Sequence, residues 1–180
     1  MWQSTRVIRK VPKSIGSLKH LRYLNFSHTK TRCLPEEVSE LYNLQSLLVD
    51  HCYKKFAKLI NLRHLDISDT PNLNKTPIGI GGLTSLQTLT KVIIEQGDRF
   101  KIWDLKVLTD LQVHLSIMGL DKVVNPIQAN DANLPQKKGL DVMVMEWSNV
   151  FRDSRNETIE YEVLNELRRP PNLKKTQHFV

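Results

Sequence analysis

Few residues in this 180-residue chain have the type and spacing for chemistry. Gly79-Ile80-Gly81-Gly82 is the one glycine cluster and the one candidate phosphate cradle. A phosphate loop needs a Lys and then a Ser or Thr after its glycines, to neutralise the phosphates and hold a metal ion. Leu83-Thr84-Ser85 follows here, so the cluster reads as a turn. The histidines are His20, His28, His51, His64, His114 and His178. None shows the H-E-x-x-H spacing that puts two imidazoles on one helix face around zinc. They read as solvated or partner-facing. Cys33 and Cys52 have no metal-ligand spacing around them, and two cysteines set no disulfide framework, which points to a reducing compartment. No Ser/His/Asp arrangement stands out. The expectation is therefore no enzyme, no catalytic or metal site and no cofactor.

The elements that carry these residues follow from periodicity. Composition is that of a globular chain, with 40% hydrophobic and 25% charged residues. No apolar run reaches the roughly 18 to 20 residues of a membrane span. The N-terminus, MWQSTRVIRKVPKS, lacks the apolar core of a signal peptide. Residues 1–90 hold 13 basic and 6 acidic side chains, which accounts for the whole net charge of +7; residues 91–180 hold 13 of each. A basic half attracts nucleic acid, an anionic membrane or an acidic protein surface. The basic stretches Arg6 to Lys13, Lys19 to Arg32 and Lys54 to Lys58 have few aromatics beside them and no nucleic-acid motif. Nucleic acid is accordingly the least favoured partner.

Three lines of sequence stack on one another. They are Leu18-x-x-Leu21-x-x-Leu24-x-Phe26-x-x-Thr29, Leu41-x-x-Leu44-x-x-Leu47-x-Val49-x-x-Cys52 and Leu59-x-x-Leu62-x-x-Leu65-x-Ile67-x-x-Thr70. A linked pattern runs Val11-Pro12-x-x-Ile15, Leu34-Pro35-x-x-Val38 and Thr76-Pro77-x-x-Ile80. In L-x-L both apolar side chains point to one face of a short strand. Thr29, Cys52 and Thr70 then turn inward, where they must satisfy buried polar groups. The proline starts the return arc on the outer side. Each coil buries one stripe only against its neighbours, so stability requires stacking.

These lines resemble the leucine-rich-repeat region of plant coiled-coil/nucleotide-binding/leucine-rich-repeat disease-resistance proteins. The phrases "SIGSLKHLRYLNFSHTK", "LPEEVSELYNLQSLL", "LINLRHLDISDTPNL" and "DANLPQKKGLDVMVMEW" carry the resemblance, which extends from about residue 5 to the end. It implies an α/β leucine-rich-repeat solenoid, a horseshoe with a parallel concave sheet and an irregular or helical convex side. The expected organisation is a single solenoid fragment over 1–180, uncapped at both ends. Regular repeats span 5–90; irregular, more helical ones span 91–180. It also implies an intracellular plant immune receptor segment, placed in the cytoplasm. Its partners would be proteins: a pathogen effector or host target, and the nucleotide-binding module of the same receptor. No G-x-x-x-x-G-K-[ST] occurs in this chain, so any nucleotide would bind elsewhere. The other readings are a truncated structural or decoy binder, or a non-functional relic.

The later coils are less regular. Val92 to Ile94, Leu115-x-Ile117 and Met143-x-Met145 are expected as strands, with a Gly97-Asp98 turn and a short helix from Ile102 to Val107. Asn125-Pro126 reads as a helix N-cap followed by Pro at the first helical position, with a stop near Pro135. Ser154-x-x-Glu157 resembles a capping box for a helix carrying Ile159, Val163, Leu164 and Leu167, stopped by Pro170-Pro171. Trp103 is expected in the core. Trp147 is expected at a strand end on the inner surface, where an aromatic can anchor a partner.

If coils stack in register, outward strand residues line up. Tyr23, Ser46 and His64 form one row; Asn25, Leu48 and Asp66 the next; Ser27, Asp50 and Ser68 a third. With Trp147 they are the candidate protein-binding lane, and its mix of aromatic, aliphatic and polar groups suits recognition.

One coil is short. From Leu18 to Leu41 is 23 residues and from Leu59 to Leu83 is 24, but from Leu41 to Leu59 is only 18. Six residues, Tyr53 to Lys58, replace the 11 between Thr29 and Leu41. Seven virtual bonds span at most about 25 Å, so the return is taut. The expectation is a distorted coil, with Phe56 plugging the place of the missing arc.

Overall fold

Among the described residues every strand pair is parallel and joins strands consecutive in sequence, the topology of a coil that advances by one turn at a time. The computed structural model describes residues 9–29, 31, 34–49, 55–68, 70, 73–97, 99–147 and 156–179. Strands β1 (Tyr23–Asn25), β2 (Ser46–Leu48), β3 (His64–Asp66) and β4 (Thr88–Leu89) form one sheet in that order. Strands β5 (Lys91–Ile93), β6 (Gln112–Met118), β7 (Gly139–Glu146) and β8 (Lys175–Phe179) form a second. The two meet where Thr90 separates β4 from β5. There β6 follows both, with Gln112 N–H donating to Gln87 O at 2.7 Å and Ser116 N–H to Thr90 O at 3.0 Å.

The leucine pattern explains the core. Leu41, Leu44 and Leu47 are fully buried, as are Leu59, Leu62 and Leu65, and Leu83, Leu86 and Leu89. Each such side chain contributes about 1.5–3 kcal/mol by leaving water. Leu18 begins the same pattern but is 53% exposed. Thr29 and Thr70 do turn inward: Thr29 Oγ1 donates to Phe26 O at 2.8 Å, and Thr70 Oγ1 donates to Ile67 O. Cys52 lies outside the described residues, as does Cys33.

Return arcs at Lys13–Ser17, Glu36–Glu40, Ile80–Gly82 and Ile102–Val107 are single 3-10 turns. The short coil has none over its described residues 55–58. Instead Lys55 bridges Ile78 of the next arc, and Phe56 N–H donates to Ile78 O at 2.9 Å. Phe56 is 3% exposed, so it fills the interior as expected. Its shortened arc stands back from the arc before it and leaves a cavity of about 270 Å³ beside Leu34, Pro35, Val38 and Ala57.

β5 extends past the end of β3, which leaves its edge needing a partner. The hydroxyl of Thr76 supplies one, accepting from Ile93 N–H at 2.7 Å and donating to Ile93 O at 2.9 Å. β6 carries a bulge at Val113/His114, where Val113 has φ +67°.

The outer side of the later coils is helical. Helix α1 (Pro126–Asn130) is capped by Asn125, whose Oδ1 accepts from Ile127 N–H at 3.0 Å. It ends at Asn130, not near Pro135, because Asn133 takes a left-handed φ of +51°. Pro135 sits instead inside a separate 3-10 turn, Leu134–Gln136. Helix α2 (Glu157–Glu166) is capped by Asn156, whose Oδ1 accepts from Ile159 N–H at 3.2 Å. Ser154 lies outside the described residues. Helix α2 packs on α1; its Val163 is buried, and Leu167 is buried just beyond its end.

Candidate functional site

The open face of the first sheet is built by register. Tyr23 pairs with Ser46 and Ser46 with His64, and Thr88 of β4 extends this row. Asn25 pairs with Leu48 and Leu48 with Asp66. Alternation sends Leu24, Leu47 and Leu65 inward, so these rows stand outward. Tyr23 is 57% exposed, and Leu48 and Asp66 are half-buried. Asp50, assigned to the third row, lies outside the described residues.

A recurrent turn holds the polar side chains of this face. Asn25 Oδ1 accepts from Ser27 N–H at 2.8 Å and Ser27 Oγ at 2.6 Å, and Asn25 Nδ2 donates to the Tyr23 hydroxyl at 3.2 Å. Two strands along, Asp66 Oδ1 accepts from Ser68 N–H at 3.0 Å and Ser68 Oγ at 2.7 Å. Acceptor side chains that bond the main chain two residues on are Asx turns. Here they fix the exits of β1 and β3 and hold Asn25 and Asp66 in one orientation. Thr90 Oγ1 donates to the same Asp66 oxygen at 3.3 Å, and His64 Nδ1 lies 3.1 Å from Thr88 Oγ1. The face therefore presents pre-oriented donors and acceptors around one exposed phenol and one half-exposed leucine. Such groups suit a protein surface. Among the described residues, no three His, Cys, Asp or Glu side chains gather as metal ligands do.

Trp103 and Trp147 both lie opposite to expectation. Trp147 is 7% exposed, so it is no surface anchor of the lane. It shares strand parity with Met143 and Met145, which point inward. Trp103 is 38% exposed, because Ile102 and Leu105 take the inward positions of its turn. Gly79 has φ +94°, which makes it the left-handed cap of the Ile80–Gly82 turn.

Two features went unread in the sequence. The first is an asparagine ladder on one flank: Asn43 Nδ2 donates to Lys19 O at 2.8 Å, Asn61 Nδ2 to Tyr42 O at 2.8 Å and Asn172 Nδ2 to Lys138 O at 3.0 Å. Its signal is Asn directly before a leucine of the repeat, in L-x-N-L at Asn43 and Asn61 and in Pro170-Pro171-Asn172-Leu173. The second is Lys137, which is fully buried and donates to Leu105 O at 2.7 Å and Leu108 O at 2.8 Å. Burial pushes its ammonium down to about 8. Its signal is Leu134-x-x-Lys137-x-x-Leu140, where lysine takes a leucine position.

A family model described as a leucine-rich repeat region matches residues 8–150. The chain is 40% identical over 146 residues to the candidate disease resistance protein At3g14460 of Arabidopsis thaliana, covering 78% of this chain and 10% of that protein. It is 40% identical over 192 aligned residues to the candidate disease resistance protein RGA4 of Solanum bulbocastanum, covering 91% and 19%. It is 30% identical over 160 residues to a candidate disease resistance RPP13-like protein 2 of Arabidopsis thaliana, covering 87% and 18%. The chain thus spans 10% to 19% of the length of these relatives. Among solved structures, the LRR protein LIC12759 of Leptospira interrogans matches 97% of this chain and 43% of its own with a TM-score of 0.53 and 24% identity, a likeness of fold alone.

Proposed function

The chain belongs to the leucine-rich-repeat regions of plant disease-resistance proteins, and from that premise we propose that it is the protein-recognition segment of an intracellular immune receptor. Its open sheet face senses a pathogen effector or the host protein that an effector alters. The register of Tyr23, Ser46 and His64 beside Asn25, Leu48 and Asp66 carries this reading, because it makes one ordered surface from three coils. The mechanism is binding: pre-oriented polar groups set specificity, and Tyr23 supplies the apolar contact area that anchors an interface.

The same segment restrains the receptor's nucleotide-binding module in the cytoplasm. The excess of 13 basic over 6 acidic side chains in residues 1–90 supports a face that meets an acidic neighbour. Co-precipitation of the chain with a nucleotide-binding module supplied in trans tests the restraint.

Recognition is tested in an intact receptor carrying Tyr23→Ala, Leu48→Ala and Asp66→Ala together. The expected outcome is lost response to the cognate effector with unchanged protein level. An unchanged response removes the lane from the recognition surface.

A further inference from the structure

Stacked coils lay one return arc on the next. A Cβ on Gly16 would lie 2.9 Å from Glu37 Cβ, so the arcs Lys13–Ser17 and Glu36–Glu40 touch. One on Gly81 would lie 3.1 Å from Asp104 Cβ, so the arcs Ile80–Gly82 and Ile102–Val107 touch as well. The short arc, residues 55–58, is bonded onto the arc after it, with Phe56 N–H donating to Ile78 O at 2.9 Å. Its other side is open. Between it and Glu36–Glu40 lies the cavity of about 270 Å³, with Leu34, Pro35 and Val38 on one wall and Phe56 and Ala57 on the other.

The sequence shows what this junction lacks. Val11-Pro12 and Leu34-Pro35 open the two earlier arcs, and no proline occurs between Cys52 and Leu59. A dry apolar cavity of about 150 Å³ admits a molecule the size of benzene. The gap has room for more than one such group, enough for a leucine and a proline side chain together.

Charge sets the rest of the occupant. The first two coils meet with lysine against carboxylate: Lys13 Nζ lies 3.3 Å from Glu37 Oε1, and Lys19 Nζ donates to Glu40 Oε2 at 3.0 Å. At the gap, the short arc contributes Lys55 and Lys58, both exposed, and the arc before it contributes Glu36. Two cations to one anion favour an occupant that brings carboxylates.

We propose that this gap receives an acidic segment of a protein partner, carrying an apolar residue followed by proline, where a full-length coil lays its own. The site lies among the return arcs, away from the Tyr23 to Asp66 rows, and is independent of their role.

The test uses the full 180-residue chain labelled at its alanine methyl groups. The alanines are Ala57, which lines the gap, and Ala129 and Ala132, which are buried far along the chain and serve as controls. The chain is titrated with acetyl-Leu-Pro-Glu-Glu-Val-amide, which copies residues 34–38, and followed by NMR. The Ala57 methyl signal should move saturably while those of Ala129 and Ala132 stay. Acetyl-Leu-Pro-Lys-Lys-Val-amide should bind about fivefold more weakly or worse, the scale of exposed ion pairs. Acetyl-Ser-Gly-Glu-Glu-Ser-amide, acidic but without the apolar pair, should leave Ala57 unmoved. Lys55→Glu with Lys58→Glu should reverse the preference between the two Leu-Pro peptides while the thermal midpoint holds. No saturable shift at Ala57, equal shifts at all three alanines, equal binding of the basic peptide or binding of the Ser-Gly peptide would each overturn the assignment. Should the double variant fail to fold, the peptide series on the parent chain decides alone.

Discussion

Gly79 stands against Ala57 so closely that a Cβ on the glycine would lie 2.6 Å from the alanine Cβ. The shortened coil is the reason. With no 3-10 turn over its described residues 55–58, its arc is drawn onto the next one through the Lys55–Ile78 bridge. The chain then leaves Ile78 through a left-handed residue at φ +94°. Close approach and positive φ both demand glycine at one point.

Gly79→Ala should therefore cost about 3 kcal/mol or more, from backbone strain and from the clash together. Gly82, three residues on, is the control: a Cβ added there would meet nothing within 4 Å. Gly82→Ala should leave the urea midpoint nearly unchanged. Equal losses for the two variants would mean that the arcs are not packed as described.

Phe56→Ala tests the plug. A buried phenylalanine truncated to alanine costs about 3–5 kcal/mol, and this one also borders the existing cavity at the same arc. The loss should exceed that of Leu18→Ala, since Leu18 is 53% exposed although it occupies a core position of the repeat. Denaturant unfolding of both variants ranks them; a larger loss at Leu18 would contradict the burial.

The fold was legible where one rule acts alone. L-x-L forces strand parity, so the buried leucines and the row register follow from spacing. Asn125 capped as its type dictates. The outer side was harder to read, because several short solutions satisfy a return arc. Pro135 entered a 3-10 turn because Asn133 had already reversed the chain. The tryptophans needed a closer count: Met143, Met145 and Trp147 share parity, and Ile102 and Leu105 share one face of a 3-10 turn. The Thr76 hydroxyl at the edge of β5 gave no local signal, since its partner lies 17 residues away.

The asparagine ladder predicts a difference between isosteres. Asn61→Ala removes one donor to Tyr42 O and should cost about 1 kcal/mol. Asn61→Asp should cost more, because a carboxylate has no donor and faces the carbonyl oxygen. Asn43 is less exposed and bonds Lys19 O, so Asn43→Asp should be the worse of the two aspartates. Thermal unfolding at neutral pH checks the order; a harmless Asn43→Asp would remove the ladder from the stabilising contacts.

Lys137 makes stability depend on alkaline pH. Its folded value is lowered from 10.5 to about 8 by burial, so between these limits the unfolded chain holds more protons. Stability then rises with pH from about 8 and levels above 10.5. The gain from this group is on the order of 3 kcal/mol. Lys137→Leu restores the residue that Leu41, Leu59, Leu83 and Leu108 provide in other coils, all fully buried. The change also takes a donor from Leu108 O. The equivalent carbonyls take a main-chain N–H three residues on, Leu41 O from Leu44 at 2.8 Å and Leu83 O from Leu86 at 3.0 Å, whereas Leu108 O takes the ammonium. Lost desolvation cost and lost hydrogen bonding nearly offset each other at pH 7, so the variant should lie within about 2 kcal/mol of the parent there. Urea unfolding from pH 7 to 10.5 reads the difference. The parent should gain on the variant as pH rises; parallel curves would show that the amine is not held in the interior.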